Sequence, residues 1–238
     1  MKKVILILFI MSLAFSAQAQ WRKVKGNGDM KTETRSTADY DEVSIGGPFT
    51  VDLVKGNEGK ITVEADENLM EYIITETNGD KLKIKIKDGY NVRPSGKIKV
   101  TVPFTTLNEV NLAGSGNVTG QDLIKTSRFK CAVAGSGNLN IEVEAQEIEA
   151  SVAGSGNLEL SGDTDEVKMR VAGSGNVKAD QLTVRNIDAA VAGSGDIDFD
   201  CDDCALTARV SGSGDISYSG NTSREDIKVS GSGKVRKK

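Results

Sequence analysis

The sequence predicts an all-β fold: a right-handed parallel β-helix, a solenoid of rungs about twenty residues long, with an amino-terminal β-rich capping region. Three observations lead there. The tripeptide Gly-Ser-Gly, followed by Asn, Asp or once Lys, starts at Gly114, Gly135, Gly154, Gly173, Gly193, Gly212 and Gly231, in steps of 21, 19, 19, 20, 19 and 19 residues. Two residues before each first Gly stands Leu112, Val133, Val152, Val171, Val191, Val210 or Val229. Three residues after it stand Asn117, Asn138, Asn157 and Asn176, then Asp196 and Asp215.

The first segment, residues 1–19, has a basic start at Lys2 and Lys3, an apolar run from Val4 to Phe15 and the small-residue exit Ala17-Gln18-Ala19. That is the pattern of a secretory signal peptide, and the run is too short to span a bilayer as a helix. Export into the periplasm, onto the outer-membrane surface or into the medium is therefore expected, with no transmembrane segment after cleavage. Residues 20–39 read as a poorly ordered leader.

Residues 40–105 read as an amino-terminal β region, with strands at Val43–Ile45, Phe49–Val54, Ile61–Ala65, Tyr72–Thr77, Leu82–Lys87 and Lys97–Val102. Turn signals such as Gly46-Gly47-Pro48, Asn78-Gly79-Asp80 and Asp88-Gly89 separate them. Leu82, Ile84 and Ile86 alternate with lysines, so that strand wets one face. Asp41 to Pro48 echoes Asn108 to Ser115, which suggests a degenerate first rung.

Residues 106–238 are the Gly-Ser-Gly repeat. Counting from the first Gly as zero, positions −4, −2 and +4 are apolar, while outward residues such as Asn111, Arg170, Arg209 and Lys228 at −3 and Asn140, Glu159, Lys178 and Asp198 at +5 lie between them, a period of two that sends one set inward. Each copy reads as two short strands joined at Gly-Ser-Gly, followed by a polar turn such as Ser161-Gly162-Asp163. An array of antiparallel hairpins also sets apolar opposite apolar. The β-helix is preferred because it gives both repeated residues a purpose. Each Val packs on its twin about 4.8 Å away in the next rung, and the Asn side chains stack into an amide ladder. The right hand is taken from the general chirality of parallel crossovers. In the last copy Lys234 replaces Asn or Asp and the chain closes Val235-Arg236-Lys237-Lys238, charge that discourages edge-to-edge polymerisation; the basic tail could alternatively touch an anionic surface.

The chain has 238 residues, 30 basic and 34 acidic. Without Lys2 and Lys3 the balance is −6, and the excess acid lies in residues 106–238, which disfavours nucleic acid as a partner. There is no histidine, which excludes Ser-His-Asp and Cys-His nucleophiles and every His-containing zinc site. One Trp, four Tyr and six Phe make an aromatic stacking platform hard to build.

The signal peptide, the stretches Gly46-Gly47-Pro48-Phe49-Thr50-Val51 and Ala65-Asp66-Glu67-Asn68-Leu69, and the Gly-Ser-Gly-Asn series together resemble a bacterial family, mainly of Bacteroidetes, whose members carry the head GIN domain and are described as autotransporter adhesins. The resemblance covers nearly all of the mature chain. It implies an exported all-β protein with a right-handed β-helix portion.

Among chemistry-bearing residues, the acidic run Asp196, Asp198, Asp200, Asp202 and Asp203, with Asp215 one rung on, is the sharpest cluster. Stacked rungs bring Asp196 and Asp215 within a few Å, where two carboxylates share a cation or a proton. Asp196, Asp198 and Asp215 are accordingly the calcium candidates, set against a solvated acidic face; no other cofactor is expected. Cys201 and Cys204 are candidates for a local disulfide in an oxidising compartment, and Cys131 takes an inward position. No residue earns a catalytic role. The expected function is a non-enzymatic, adhesin-like solenoid that binds a macromolecule, protein or glycan. The alternatives are a carbohydrate-active β-helix enzyme using paired Asp carboxylates, and a structural spacer.

Overall fold

A computed structural model describes residues 22–238. The expected signal peptide, residues 1–19, lies outside the described residues, as do Gln20 and Trp21. The amino-terminal part contains β1 (Arg22–Lys25), β2 (Met30–Ser36), β3 (Glu42–Gly46), β4 (Phe49–Lys55), β5 (Lys60–Asp66), a short 3₁₀ turn (Glu67–Tyr72), β6 (Ile73–Asn78), β7 (Lys81–Ile86), β8 (Tyr90–Arg93) and β9 (Ile98–Phe104). Period-two patterning makes these strands. In β7, Leu82 and Ile84 are fully buried while Lys83 between them is exposed.

The expectation of a poorly ordered leader is corrected. Of residues 20–39, those from 22 to 36 form two strands, β1 lying parallel to β8 and β2 antiparallel to β5. Sequence patterning misses them because neither strand buries an apolar face: Lys23, Lys25, Lys31, Glu33 and Arg35 are spread along them, and ladder bonds on a sheet edge do the holding.

The repeat forms β10 (Glu109–Gly114), β11 (Asn117–Gly120), β12 (Ile124–Lys125), β13 (Arg128–Gly135), β14 (Asn138–Gly154), β15 (Asn157–Gly173), β16 (Asn176–Gly193), β17 (Ile197–Gly212), β18 (Ile216–Gly231) and β19 (Val235–Lys237). Successive rungs are parallel and in register, Val133 beside Val152, then Val171, Val191, Val210 and Val229. The hairpin array is thereby excluded, and the repeat is a β-solenoid.

Two glycines of each motif serve different needs. Gly154 sits at φ +118°, in the region that favours glycine, and turns the chain at the corner. A Cβ on Gly156 would collide with the carbonyl oxygen of Gly137 and come within 2.6 Å of Val133 Cγ1. The repeated Val and the second repeated Gly are therefore one packing unit shared between rungs. The expected polar turn at Ser161-Gly162-Asp163 is corrected too. These residues stay in the ladder opposite Glu142, Val143 and Glu144, so the coil bends there without losing parallel pairing.

The stack does not begin at residue 106. β10 lies between β3 and β13, with Val43 beside Val110 and Ile45 beside Leu112, and β11 lies between β4 and β14. The β3–β4 segment is thus a degenerate rung, not the first layer, because β7 and β9 lie parallel on its far side, and one buried cluster runs from Tyr40 to Tyr218. Antiparallel β6 on β7 and β2 on β5 close the amino-terminal end. At the other end β19 pairs only with Ile216, Ser217 and Tyr218. Among the described residues no rung covers the inward positions Ile227 and Val229, which are 40% and 45% exposed.

Candidate functional site

One wall of the solenoid is a sheet of nine parallel strands or strand segments in the order β7, β3, β10, β13, β14, β15, β16, β17, β18. Eight steps make it roughly 38 Å long. Its outward side chains form three rows. The first runs Lys81, Glu42, Glu109, Lys130, Glu149, Lys168, Asp188, Thr207, Asp226. The second changes from Asn111, Ala132 and Ser151 to Arg170, Ala190, Arg209 and Lys228. The third starts at Lys85 on β7 and is small from β3 onward: Gly46, Ala113, Ala134, Ala153, Ala172, Ala192, Ser211, Ser230.

In-register stacking makes the charges answer one another along the axis. Lys81 Nζ lies 2.9 Å from Glu42 and 3.7 Å from Glu109, Lys130 lies 3.0 Å from Glu149, and Lys168 lies 2.7 Å from Glu147. Asp188 sits between Arg170 at 2.5 Å and Arg209 at 3.2 Å. The hydrogen bond from Lys168 holds the Glu147 carboxyl below its ordinary range, and the bonds to Glu147 and Glu166 raise the Lys168 ammonium. All of these groups are solvated, so the pairs fix side-chain direction more than they stabilise the fold. Two shallow clefts of about 330 and 420 Å³ lie along this wall and meet at Arg170.

The corner beside this wall carries the Asn and Asp series. Nδ2 of Asn138, Asn157 and Asn176 each donates to Oδ1 of the Asn one rung earlier, at 2.8, 2.9 and 3.0 Å. From Asp196 onward the pattern changes. The backbone N–H of Asp196 donates to Asn176 Oδ1 at 3.0 Å, that of Asp215 to Asp196 Oδ1 at 2.8 Å, and that of Lys234 to Asp215 Oδ1 at 2.9 Å. Stacking does bring the calcium candidates Asp196 and Asp215 together, but each spends one oxygen on the ladder. Asp198 is turned to Lys238 Nζ, 2.6 Å away. Among the described residues no group of three or more His, Cys, Asp or Glu side chains is arranged to hold a metal ion. The carboxy-terminal tail thus lies against the solenoid wall, with Arg236 3.7 Å from Asp215 as well.

Cys201 and Cys204 are bonded to each other within β17, their Cα atoms 5.3 Å apart, and both are buried. Cys131 is a buried free thiol whose ionisation burial pushes far up.

Sequence reasoning missed what the Asp66-Glu67-Asn68 stretch does. Asp66 is 1% exposed and accepts from the backbone N–H of Gly28 at 2.8 Å, the backbone N–H of Ser95 at 2.9 Å and Ser95 Oγ at 2.5 Å. Asn68 Oδ1 accepts from the Asn27 N–H, and its Nδ2 donates to the Lys25 carbonyl. Burial alone raises the Asp66 carboxyl, but the bonds from Ser95 and Gly28 outweigh it and hold it below its usual value. These residues staple β1 and β2 to the body; the hint was a run of short polar residues at a strand end.

An in-register parallel coil whose long lateral wall carries two rows rich in charge beside a row of small side chains defines a β-solenoid. The chain belongs to the family described as "putative auto-transporter adhesin, head GIN domain", whose model matches residues 39–222. Solved structures agree on the fold. A putative adhesin from Bacteroides fragilis superposes with a TM-score of 0.83 at 20% identity, covering 90% of this chain and 100% of that one. A putative lipid binding protein from Parabacteroides distasonis gives 0.76 at 28% identity, covering 91% and 100%. A putative adhesin from Parabacteroides merdae gives 0.73 at 24% identity, covering 91% and 99%. No curated protein matches the chain.

Proposed function

We propose that this chain is an exported, non-enzymatic β-solenoid that binds another macromolecule, protein or glycan, along its nine-strand wall. The observation that carries this reading is the wall itself. A row of Gly, Ala and Ser runs beside a row of largely paired charges for eight strands, from β3 to β18, so an extended ligand can approach the backbone closely over that length. Family membership supports a binding role in general terms. The signal-peptide pattern of residues 1–19 supports export.

The carbohydrate-active alternative needs a carboxylate pair free to act on substrate. Asp196 and Asp215 each accept a backbone hydrogen bond, which favours a structural role for them.

The test is a binding panel of immobilised glycans, extracellular-matrix proteins and phospholipid vesicles, the last included because the Parabacteroides distasonis structure is described as lipid binding. Wild type is compared with a variant carrying Ala153→Arg and Ala172→Arg, both exposed positions of the small row. A bound glycan or protein, with affinity reduced about tenfold or more in the variant, is the expected result. Binding that ignores the two arginines, or vesicles as the one bound probe, would overturn the proposal.

A further inference from the structure

The two ends of the solenoid are finished differently. Antiparallel strands close the amino-terminal end, whereas the carboxy-terminal end is half covered. β19 shields Ile216 to Tyr218. Glu225, which takes the inward place held by Leu206 one rung earlier, accepts hydrogen bonds from Tyr218 Oη at 2.7 Å and Thr222 Oγ1 at 2.6 Å. Beyond it β18 has a ladder partner on one side only, and its inward side chains Ile227 and Val229 are open to water. Of the three large apolar residues exposed among the described residues, two lie on this short edge.

We infer that a second copy of the chain covers this edge, giving a twofold, end-to-end dimer in which β18 pairs antiparallel with β18 of its partner. A twofold axis sets one edge against the same edge reversed, so residue numbers across the pair have a constant sum. Keeping both inward faces on one side requires that sum to be even, because a slip of one residue turns every side chain over. Five such registers, centred on Glu225 to Val229, lie over the exposed stretch. Centring on Glu225 sets Arg224 opposite the partner's Asp226 but drives two inward carboxylates against each other. Centring on Asp226 sets Asp226 against the partner's Asp226 and Arg224 against the partner's Lys228, both repulsive. Centring on Lys228 opposes two lysines. Centring on Val229 forms no ion pair. Centring on Ile227 packs Ile227 on the partner's Ile227 and sets Asp226 opposite the partner's Lys228 twice over, on the outward face.

In the single chain Lys228 Nζ lies 3.7 Å from Asp226, a loose contact that the cross-chain pairs replace. Of the other basic residues near this end, Lys238 is held by Asp198, Lys237 donates to Asn221 at 2.9 Å and Arg236 lies 3.7 Å from Asp215, while in this register Arg224 faces the partner's uncharged Ser230. The pairing carries the nine-strand wall on into the partner's.

Sedimentation velocity over a wide protein concentration range tests this, with Asp226→Lys, Lys228→Asp and the double variant. The wild type is expected to dimerise and to stop at the dimer. Each single variant sets like charges in register twice and should weaken the dimer by about tenfold or more. The double variant restores the opposite charges and should recover dimerisation. Of the two substituted positions Lys228 is exposed and Asp226 half-buried, and circular dichroism melts verify that the variants fold. A wild type that stays monomeric, a series of open-ended oligomers signifying head-to-tail stacking, or a dimer indifferent to both single variants would each overturn the inference. The binding panel reads a different surface property, so either proposal can fail alone.

Discussion

Asp196 Oδ1 accepts a hydrogen bond from the backbone N–H of Asp215, 2.8 Å away in the next rung. One rung earlier the same N–H at Asp196 reaches Asn176 Oδ1, whereas at Asn157 it goes to the carbonyl of Gly137. The ladder therefore has two regimes. Rungs up to Asn176 need a side-chain donor, and later rungs need only an acceptor. Aspartate is as good as asparagine in the second regime and worse in the first.

This asymmetry is measurable. Asp196→Asn keeps the acceptor and should leave stability within about 0.5 kcal/mol of wild type. Asn157→Asp loses the Nδ2 donor and turns a carboxylate toward Asn138 Oδ1, at a cost of about 1 kcal/mol in denaturant unfolding. Equal effects would refute the two-regime ladder. Because one oxygen each of Asp196 and Asp215 is committed in this way, millimolar calcium is expected to leave the melting temperature of wild type and Asp196→Asn unchanged; a calcium-dependent rise lost in Asp196→Asn would assign this corner to the metal instead.

Gly156 is the most demanding position of its motif. Its backbone is approached by the previous rung so closely that a Cβ has no room beside Gly137 and Val133. The obstacle is mostly backbone and cannot swing aside, so Gly156→Ala should destabilise by about 3 kcal/mol. The neighbouring exposed Ser155→Ala should change stability by less than about 0.5 kcal/mol. Thermal melts of the two variants, measured side by side, decide the matter, and similar melting temperatures would contradict the packing.

Asp66 ties the leader to the body through a carboxylate whose folded-state pKa is depressed. A depressed carboxyl stabilises the fold above its unfolded pKa, and that contribution is lost as the pH falls through the folded value. Hydrogen-exchange protection of β1 and β2, taken relative to the intrinsic rate at each pH, should therefore fall on acidification below the ordinary carboxylate range, before that of the solenoid amides does. Asp66→Asn should abolish this acid dependence, and Asp66→Ala should cost about 2 kcal/mol locally by leaving the Gly28 and Ser95 donors unpaired. A leader whose exchange has the same pH profile in wild type and Asp66→Asn would show that the staple is not the acid-sensitive element.

By itself the sequence determined the parallel coil, its register and its inward rows. A period near nineteen residues leaves little freedom when each Val must pack on its twin and each second Gly must pass beneath it. It also set Asp41 to Pro48 beside the first full repeat, because the same inward pattern recurs there. Tertiary structure alone decided the rest. β1 and β2 are polar strands whose order comes from Asp66 and Asn68, some 40 positions away, and no local pattern encodes a partner at that distance. The charge rows of the wall and the switch at Asn176 depend on which atoms face each other across rungs, a geometry that residue types at a common repeat position leave open. The exposure of Ile227 and Val229 is likewise a tertiary fact. Their repeat positions are those of buried residues, and the difference is that no further rung stands over them.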